Sequence, residues 1–595
     1  MDQVHPLQAI QSAIGTAGGD PRPLQRTSLF NNANDGPAAI ISKASGVQAG
    51  GKREDDGPYF TNNEGIPFPD PAHSKTVGGL PLVSDTFLLQ KQQHFNRSKN
   101  LERMVHPCGS GAFGYFETTA DVSDLTKVLT IIKANFLSGK GVKTPIFMRF
   151  STVTLGREFP DLARNPRGFA IKFYTGEGNY DIVGLNWPVF FCRDPIQGPD
   201  VIRSQSRSPK NFLLDYNSLF DLLALTPEAN HAGMMFFSDH GTPNGWRHNH
   251  GYGCHTFKWV NKEGKFVYIK YHFLAKHGQK QFTADEATKL SGEDPDYSKR
   301  ELWEAMERGE EVEWVAKIQI MQPEEADANL LGFDPFDVTK VWPRDQFPMH
   351  EFGKLVLNKN PENFHRDVEQ AAFSPGSMVP GIEDSPDPLL QFRMFFYRDA
   401  QYHRIGVNLH QVPVNYPFMS SSFSSLNFDG ATRNDANHAG NPQYTPNSFK
   451  HKFRPDTAEA PYTVADNIVS RKSHYHHEGK LSDYDQAREL YTRVMTPEQR
   501  EHLHANTADL LRRVTAKVIK VGYLAQLWNI DPGYARAIYE LLPSAAKSGE
   551  EGFEFVEVQN KAKGAEVARK EAKFRPSKAE ERLVGFCPQT NVYNM

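Results

Sequence analysis

The hydrophobic period of this chain changes near residue 480, and that change bounds what it can fold into. Before it, Ile146-Phe-Met-Arg-Phe150, Ala170-Ile-Lys-Phe-Tyr174 and Asp181-Ile-Val183 read as strands, and Gly176-Glu-Gly-Asn179 supplies the turn between the last two. Phe266-Val-Tyr-Ile-Lys-Tyr-His-Phe273 and Val312-Glu-Trp-Val-Ala-Lys-Ile-Gln-Ile320 add two more. After it, Leu510, Val514, Val518, Val521 and Leu524 recur at three or four, a helical stripe within about four helices over 483–543. Strands in one region and helices in another predict an α+β chain whose strands are the material of a β-barrel. The expected organisation is an N-terminal arm over 1–74, a barrel core over 75–440, a Pro- and His-rich wrapping connection over 441–482, a helical domain over 483–545 and a charged tail over 546–595. The first 56 or so residues are rich in Gly, Ala, Asn, Asp and Pro without apolar periodicity, which predicts a mobile or interface-wrapping arm.

Composition excludes several classes of function. A net charge of −4 on 595 residues gives no general attraction to nucleic acid or acidic membranes. No apolar run approaches the ~18 residues needed to span a bilayer. Met1-Asp-Gln-Val-His5 lacks the features of a secretory signal, and Val-Tyr-Asn-Met at the other end is not the Ser-Lys-Leu peroxisomal address. Four scattered cysteines, Cys108, Cys192, Cys254 and Cys587, form no disulfide framework. These features predict an intracellular chain, cytoplasmic or peroxisomal, with reduced thiols.

Arg393-Met-Phe-Phe-Tyr397 carries chemistry. Four apart on a helix, Arg393 and Tyr397 lie on one face, a turn apart. A guanidinium beside a phenol stabilises the phenolate and so favours tyrosine as an anionic iron ligand. Tyrosinate is a rare axial ligand of haem.

Further blocks occur in a fixed order: Arg103-Met-Val-His106, Gly111-Ala-Phe-Gly-Tyr-Phe-Glu117, Arg149-Phe-Ser151, Asn165-Pro-Arg167-Gly-Phe169, Pro188-Val-Phe190-Phe191-Cys-Arg193-Asp194-Pro195, His255-Thr-Phe-Lys258 and Asp337-Val-Thr-Lys-Val-Trp342-Pro343. Over roughly 75–545 the chain resembles the haem catalases. The resemblance implies the catalase fold with an eight-stranded antiparallel barrel, b-type haem, and a homodimer or homotetramer. It implies Tyr397 as the iron ligand and Arg393 as its partner. It implies His106 as the distal acid–base residue, with Ser151 orienting its ring and Val105 packed beside it. Arg103, Arg149 and Arg404 match the arginines that hold the haem propionates, and Phe190 and Phe191 lie in the cofactor block.

Five positions depart from that pattern. The family carries a catalytic asparagine in Gly-Asn-Asn-Thr-Pro; here the stretch is Gly184-Leu185-Asn186-Trp187-Pro188, so Leu185 stands in its place. Asn186 is adjacent, but neighbours on a strand point to opposite faces. Asn165 stands where the family has a channel aspartate, and Gly198 where it has a phenylalanine near the haem, which predicts a less polar and roomier pocket. His231, Ser238 and Trp342 fit the family's NADPH site, whereas His240 and Leu274 replace its cations, which argues against tight NADPH binding. Gly109-Ser-Gly-Ala-Phe-Gly114 matches Gly-x-G-x-x-Gly but precedes strand-like Tyr-Phe-Glu-Thr, so it reads as part of the catalase block rather than a dinucleotide loop. His248-Asn-His250 and His474-Tyr-His-His477 lack carboxylate or cysteine partners at ligand spacing.

The departures predict a haem oxidoreductase acting on a small-molecule substrate with oxygen, superoxide or peroxide. It resembles the fungal catalase-like enzymes of ergot-alkaloid biosynthesis, the chanoclavine-synthase type, which carry out an oxidative cyclisation with decarboxylation. The alternative is a catalase disproportionating hydrogen peroxide to water and oxygen.

Overall fold

The computed structural model describes residues 61–449, 482–547 and 552–571, with gaps at 68–69, 82–83, 123–133, 262, 421–424 and 426, together with 41–46 except 43. Most of the predicted arm and of the wrapping connection, including His474-Tyr-His-His477, lies outside the described residues. The chain divides into two compact units, residues 1–202 with 239–482 and residues 203–238 with 483–595.

The first unit is built on eight strands: β1 (Gly109–Thr118), β2 (Lys143–Thr152), β3 (Arg167–Thr175), β4 (Gly178–Leu185), β5 (Gly251–Tyr252), β6 (Phe266–Ala275), β7 (Val312–Met321) and β8 (His350–Lys359). They pair antiparallel in the order β7-β8-β1-β2-β3-β4-β5-β6, and β6 returns to β7, closing the barrel. Phe257–Val260 pairs with β6 beside β5, and Ile382–Asp384 adds to its outer edge. Alternation explains why these segments form one wall. Ile146, Met148 and Phe150 of β2, and Phe169, Ile171 and Phe173 of β3, enter one interior core. The opposite register is covered too: Phe147, Tyr174 and Val183 pack with Val368, Phe373 and Val414 in a second cluster, against which Tyr397 rests. Strands buried on both faces read as nearly continuous apolar runs, which is why β2, β3, β4 and β6 are legible in the sequence, and β7 is legible by alternation. By contrast β1 is rich in glycine and β5 has two residues.

The predicted eight-stranded antiparallel barrel is present, and Gly109–Gly114 is strand, not a nucleotide loop. The Arg193 and Asp337 blocks belong together because they form a buried ion pair at 3.1 Å, with Lys340 at 3.5 Å from the same carboxylate.

The second unit joins helices Tyr216–Leu225 and Ala229–Phe237 to the C-terminal helices Pro497–Leu511, Lys517–Ile530, Pro532–Leu541 and Phe555–Glu571. Phe220 stacks on Phe237 at 5.3 Å and meets Tyr523 edge-on at 4.8 Å. The predicted stripe from Leu510 to Leu524 is split. One helix ends at Leu511 and the next starts at Lys517, and Val518 is exposed. Asn217 explains the break, since its Oδ1 accepts hydrogen bonds from the Thr515 amide at 2.9 Å and the Thr515 hydroxyl at 3.2 Å. A long-range side-chain contact overrides the apolar period. Among the described residues no helix is long and apolar enough to cross a membrane.

Candidate active site

Register across the barrel wall sets one face of the site. Ser151 on β2 faces Gly168 on β3, Gly168 faces Leu185 on β4, and Leu185 faces Tyr252 on β5. Residues directly opposite on antiparallel strands share a face. His106 precedes β1 and its ring lies on this row, with Nδ1 2.9 Å from Ser151 Oγ. Gly168 is required here. A Cβ would stand 2.4 Å from both His106 Nδ1 and Ser151 Oγ, so any side chain would expel the pair. Leu185, next along the row, is buried.

His106 has φ +64°, a left-handed conformation that a non-glycine residue adopts at a cost. Two hydrogen bonds hold it there. Its amide donates to the Val153 carbonyl at 2.8 Å, and its carbonyl accepts from Arg149 Nη1 at 2.8 Å. Val105 beside it is half-buried. Burial, then the charges of Arg149, Arg393 and Arg103, push the imidazole down to about 3. His106 is therefore neutral at physiological pH and available as a proton acceptor.

That shift has an observable sign. An unfolded His106 binds a proton below about 6.5 while the folded one stays neutral to about 3. Stability from this residue is thus complete above the unfolded value and is lost as pH falls toward 3, by about 1.4 kcal/mol per pH unit. Thermal melts between about pH 7 and 4 should fall less steeply for His106→Gln than for the native chain. Equal slopes would contradict a neutral, half-buried imidazole.

A second set of site residues is carried by the helix Pro388–Ile405. Asp387 caps it, accepting from the Leu389 and Leu390 amides at 3.0 Å, with Pro388 in its first turn. Arg393 Nη2 donates to Tyr397 Oη at 3.1 Å and the guanidinium lies 4.9 Å from the tyrosine ring centre. It also lies 5.6 Å from the Phe190 ring, while Phe191 is buried edge-on to Trp187. Behind Arg393 is a chain that the sequence did not reveal. Asp387 Oδ2 accepts from His255 Nδ1 at 2.7 Å, and His255 Nε2 accepts from Arg393 Nη1 at 2.6 Å. Burial lowers the His255 pKa, so a neutral ring fixed in one tautomer anchors the arginine. The His255-Thr-Phe-Lys258 block was its only signal.

Three arginines converge nearby. Arg103 Nη2 donates to the Val368, Glu369 and Ala371 carbonyls at 2.8, 2.7 and 3.1 Å. Arg404 Nη2 donates to Ala371 O at 2.9 Å, and Arg149 Nη2 to Pro107 O at 3.1 Å. All three are buried, and one buried carboxylate, Glu369, lies 3.4 Å from Arg103. Burial lowers Arg103 to about 10 and Arg404 to about 9, opposed by Glu369 and reinforced by neighbouring arginine charge. Arg149 is lowered further by the same causes, and its buried Nε has no hydrogen-bond partner. Buried positive charge that one carboxylate does not balance, with an orphan donor, suits an anionic ligand of two carboxylates. Haem has two propionates, and Tyr397 offers an oxygen ligand, so these residues fit the cofactor.

The departing positions are now defined. Asn186 is spent on the backbone: its Oδ1 accepts from Arg167 N at 2.8 Å and its Nδ2 donates to His240 O at 3.2 Å. Asn165 likewise ties Val153 and Thr154, its Oδ1 accepting from their amides at 2.7 and 3.2 Å. The expectation that Gly198 opens space is corrected. A Cβ there would meet Phe392 Cε1 at 3.1 Å, because the Phe392 ring fills that volume. His240 is half-buried, its pKa is lowered by desolvation, and its carbonyl also accepts from Trp187 Nε1 at 3.3 Å. His240, Leu274 and Trp342 belong to the first unit and His231 and Ser238 to the second. Among the described residues no group of three or more His, Cys, Asp or Glu side chains is arranged to hold a metal ion.

Comparison with known proteins agrees with this geometry. Residues 61–451 match the family described as Catalase, and 476–542 match Catalase-related immune-responsive. The chain is 44% identical to a catalase of Methanosarcina barkeri, covering 80% of this chain and 93% of that one. It is 43% identical to a bromoperoxidase-catalase of Streptomyces venezuelae, with 80% and 97% covered. The structure of catalase A from Saccharomyces cerevisiae superposes with a TM-score of 0.76 at 39% identity, over 82% of this chain and 99% of that one. With its barrel, its buried arginines and the Arg393–Tyr397 pair beside His106 and Ser151, the chain belongs to the catalase family.

Proposed function

We propose that this catalase-family oxidoreductase is a haem enzyme that consumes hydrogen peroxide, with Tyr397 as the iron ligand and His106 as the acid–base group. The neutral His106 hydrogen-bonded to Ser151 carries the reading. Haem, once bound, supplies the redox centre. Arg103, Arg149 and Arg404 hold its carboxylates, and Arg393 sets positive charge against the oxygen that Tyr397 offers to iron. With Nδ1–H directed to Ser151 Oγ, His106 Nε2 presents a lone pair that takes a proton from peroxide and returns it to the departing oxygen. Disproportionation then turns two hydrogen peroxide molecules into two waters and one oxygen molecule. The names of the relatives support this reading.

Leu185 favours a second one. A branched apolar side chain on the His106 row cannot polarise peroxide as an amide does, and losing such a donor costs about 10²–10³ in rate. Slow disproportionation leaves oxidising capacity for an organic donor, including the chanoclavine-type cyclisation with loss of carbon dioxide. Purified holoenzyme separates the two. Oxygen evolution from peroxide at catalase-like rates supports the first. Consumption of an indole amine precursor, with peroxide, superoxide or oxygen and little oxygen release, supports the second. A haem-loaded protein that does neither rejects both.

A further inference from the structure

We infer that Phe392 is a haem-contact residue, its ring supplying from the Tyr397 helix the apolar wall that Gly198 does not; this rests on the haem reading above. Gly198 closes the short turn Pro195–Gln197, and a Cβ on it would meet Cε1, Cδ1 and Cζ of Phe392 at 3.1, 3.7 and 3.8 Å. The volume beside position 198 is thus occupied by one edge of an aromatic ring mounted on a different element. Phe392 stacks on Phe396, one helical turn on, with ring centres 5.6 Å apart and planes 17° apart. Phe396 in turn meets Tyr397 edge-on at 5.3 Å. The helix therefore carries two adjoining surfaces. Arg393, Tyr397 and Arg404 lie buried or half-buried on one with polar chemistry, and Phe392 and Phe396 form an aromatic shelf beside it. Both rings of the shelf are half-buried, so apolar surface remains continuous with the proposed iron ligand. A planar apolar macrocycle bound through Tyr397 covers such a shelf by stacking, which suits aromatic geometry.

The steric relation makes this testable as an exchange. A ring at 198 and a ring at 392 compete for one volume, so either position can carry it and both together cannot. Haem transfer to excess apomyoglobin measures retention directly. Phe392→Ala should lose haem about tenfold faster than the native protein. Gly198→Phe alone should also lose it faster, because Phe392 must move. Combining Gly198→Phe with Phe392→Ala should return the rate to within about threefold of native. Melting of the haem-free proteins provides the control. If Phe392→Ala destabilises the haem-free chain and leaves haem loss unchanged, the ring is core packing and the inference fails. It also fails if the double variant is no better than the singles. A native chain that takes up no haem would reject the underlying haem reading as well.

Discussion

Tyr397→Phe should yield a folded protein that does not retain haem or whose Soret band is profoundly shifted. The phenol oxygen is the one atom on this helix face that can bind iron as an anion, and phenylalanine removes only that atom. Its ring would still rest against the cluster of Phe147, Val183 and Val414. The barrel should therefore melt near the native temperature when haem-free, which isolates ligation from folding. Arg393 would lose an acceptor at 3.1 Å but keep Val183 O at 3.1 Å and the His255–Asp387 chain. The guanidinium stays satisfied, so the variant should not fail through an unpaired buried charge. Absorption spectra and haem content of the two purified proteins decide it. Native haem content with an unchanged Soret band in Tyr397→Phe would reject Tyr397 as the ligand.

Leu185→Asn should raise peroxide disproportionation by about 10²–10³, the usual worth of one positioned donor. Three observations motivate that size. Leu185 is on the row that runs from Ser151 through Gly168, and the Gly168 Cβ direction runs into His106. Asparagine has the same number and branching of side-chain heavy atoms as leucine and is the smaller of the two, so the buried position accepts it without overpacking. The adjacent amide, Asn186, is committed to Arg167 N and His240 O and cannot turn over to help. The gain should vanish in a Leu185→Asn, His106→Ala double variant, since the amide orients peroxide and His106 moves its proton. Initial rates of oxygen release measure all of these. An already fast native enzyme that Leu185→Asn slows would overturn this account of the pocket.

The difference between the two proposed functions rests on this same position. A family relative by fold, arginines and Tyr397 can differ in outcome through one residue beside His106, because rate depends on groups stronger in the transition state than in the ground state. Fold resemblance alone does not choose between peroxide disproportionation and oxidation of an organic donor.

Local pattern was sufficient wherever the governing contact is local or repeated. Nearly continuous apolar runs in β2, β3, β4 and β6, buried on both faces, and alternation in β7, buried mainly on one, declare strands. Arg393 and Tyr397 meet through helix geometry alone, and the ordered blocks by themselves mark the family. Tertiary structure decided the rest, since its partners are far apart in the chain and follow no period. His255 reaches Arg393 across 138 positions, and Arg103 reaches the Glu369 segment across 266. Asn217 cuts a helical stripe by accepting from Thr515, 298 positions away. Gly198 by itself signals an empty volume, and only the packed helix shows the Phe392 ring already in it. Sequence by itself determined the barrel class, the family and the chemical types at the site. Packing decided which charges are buried together and which volumes are filled, because those depend on surfaces that meet only when the chain has closed.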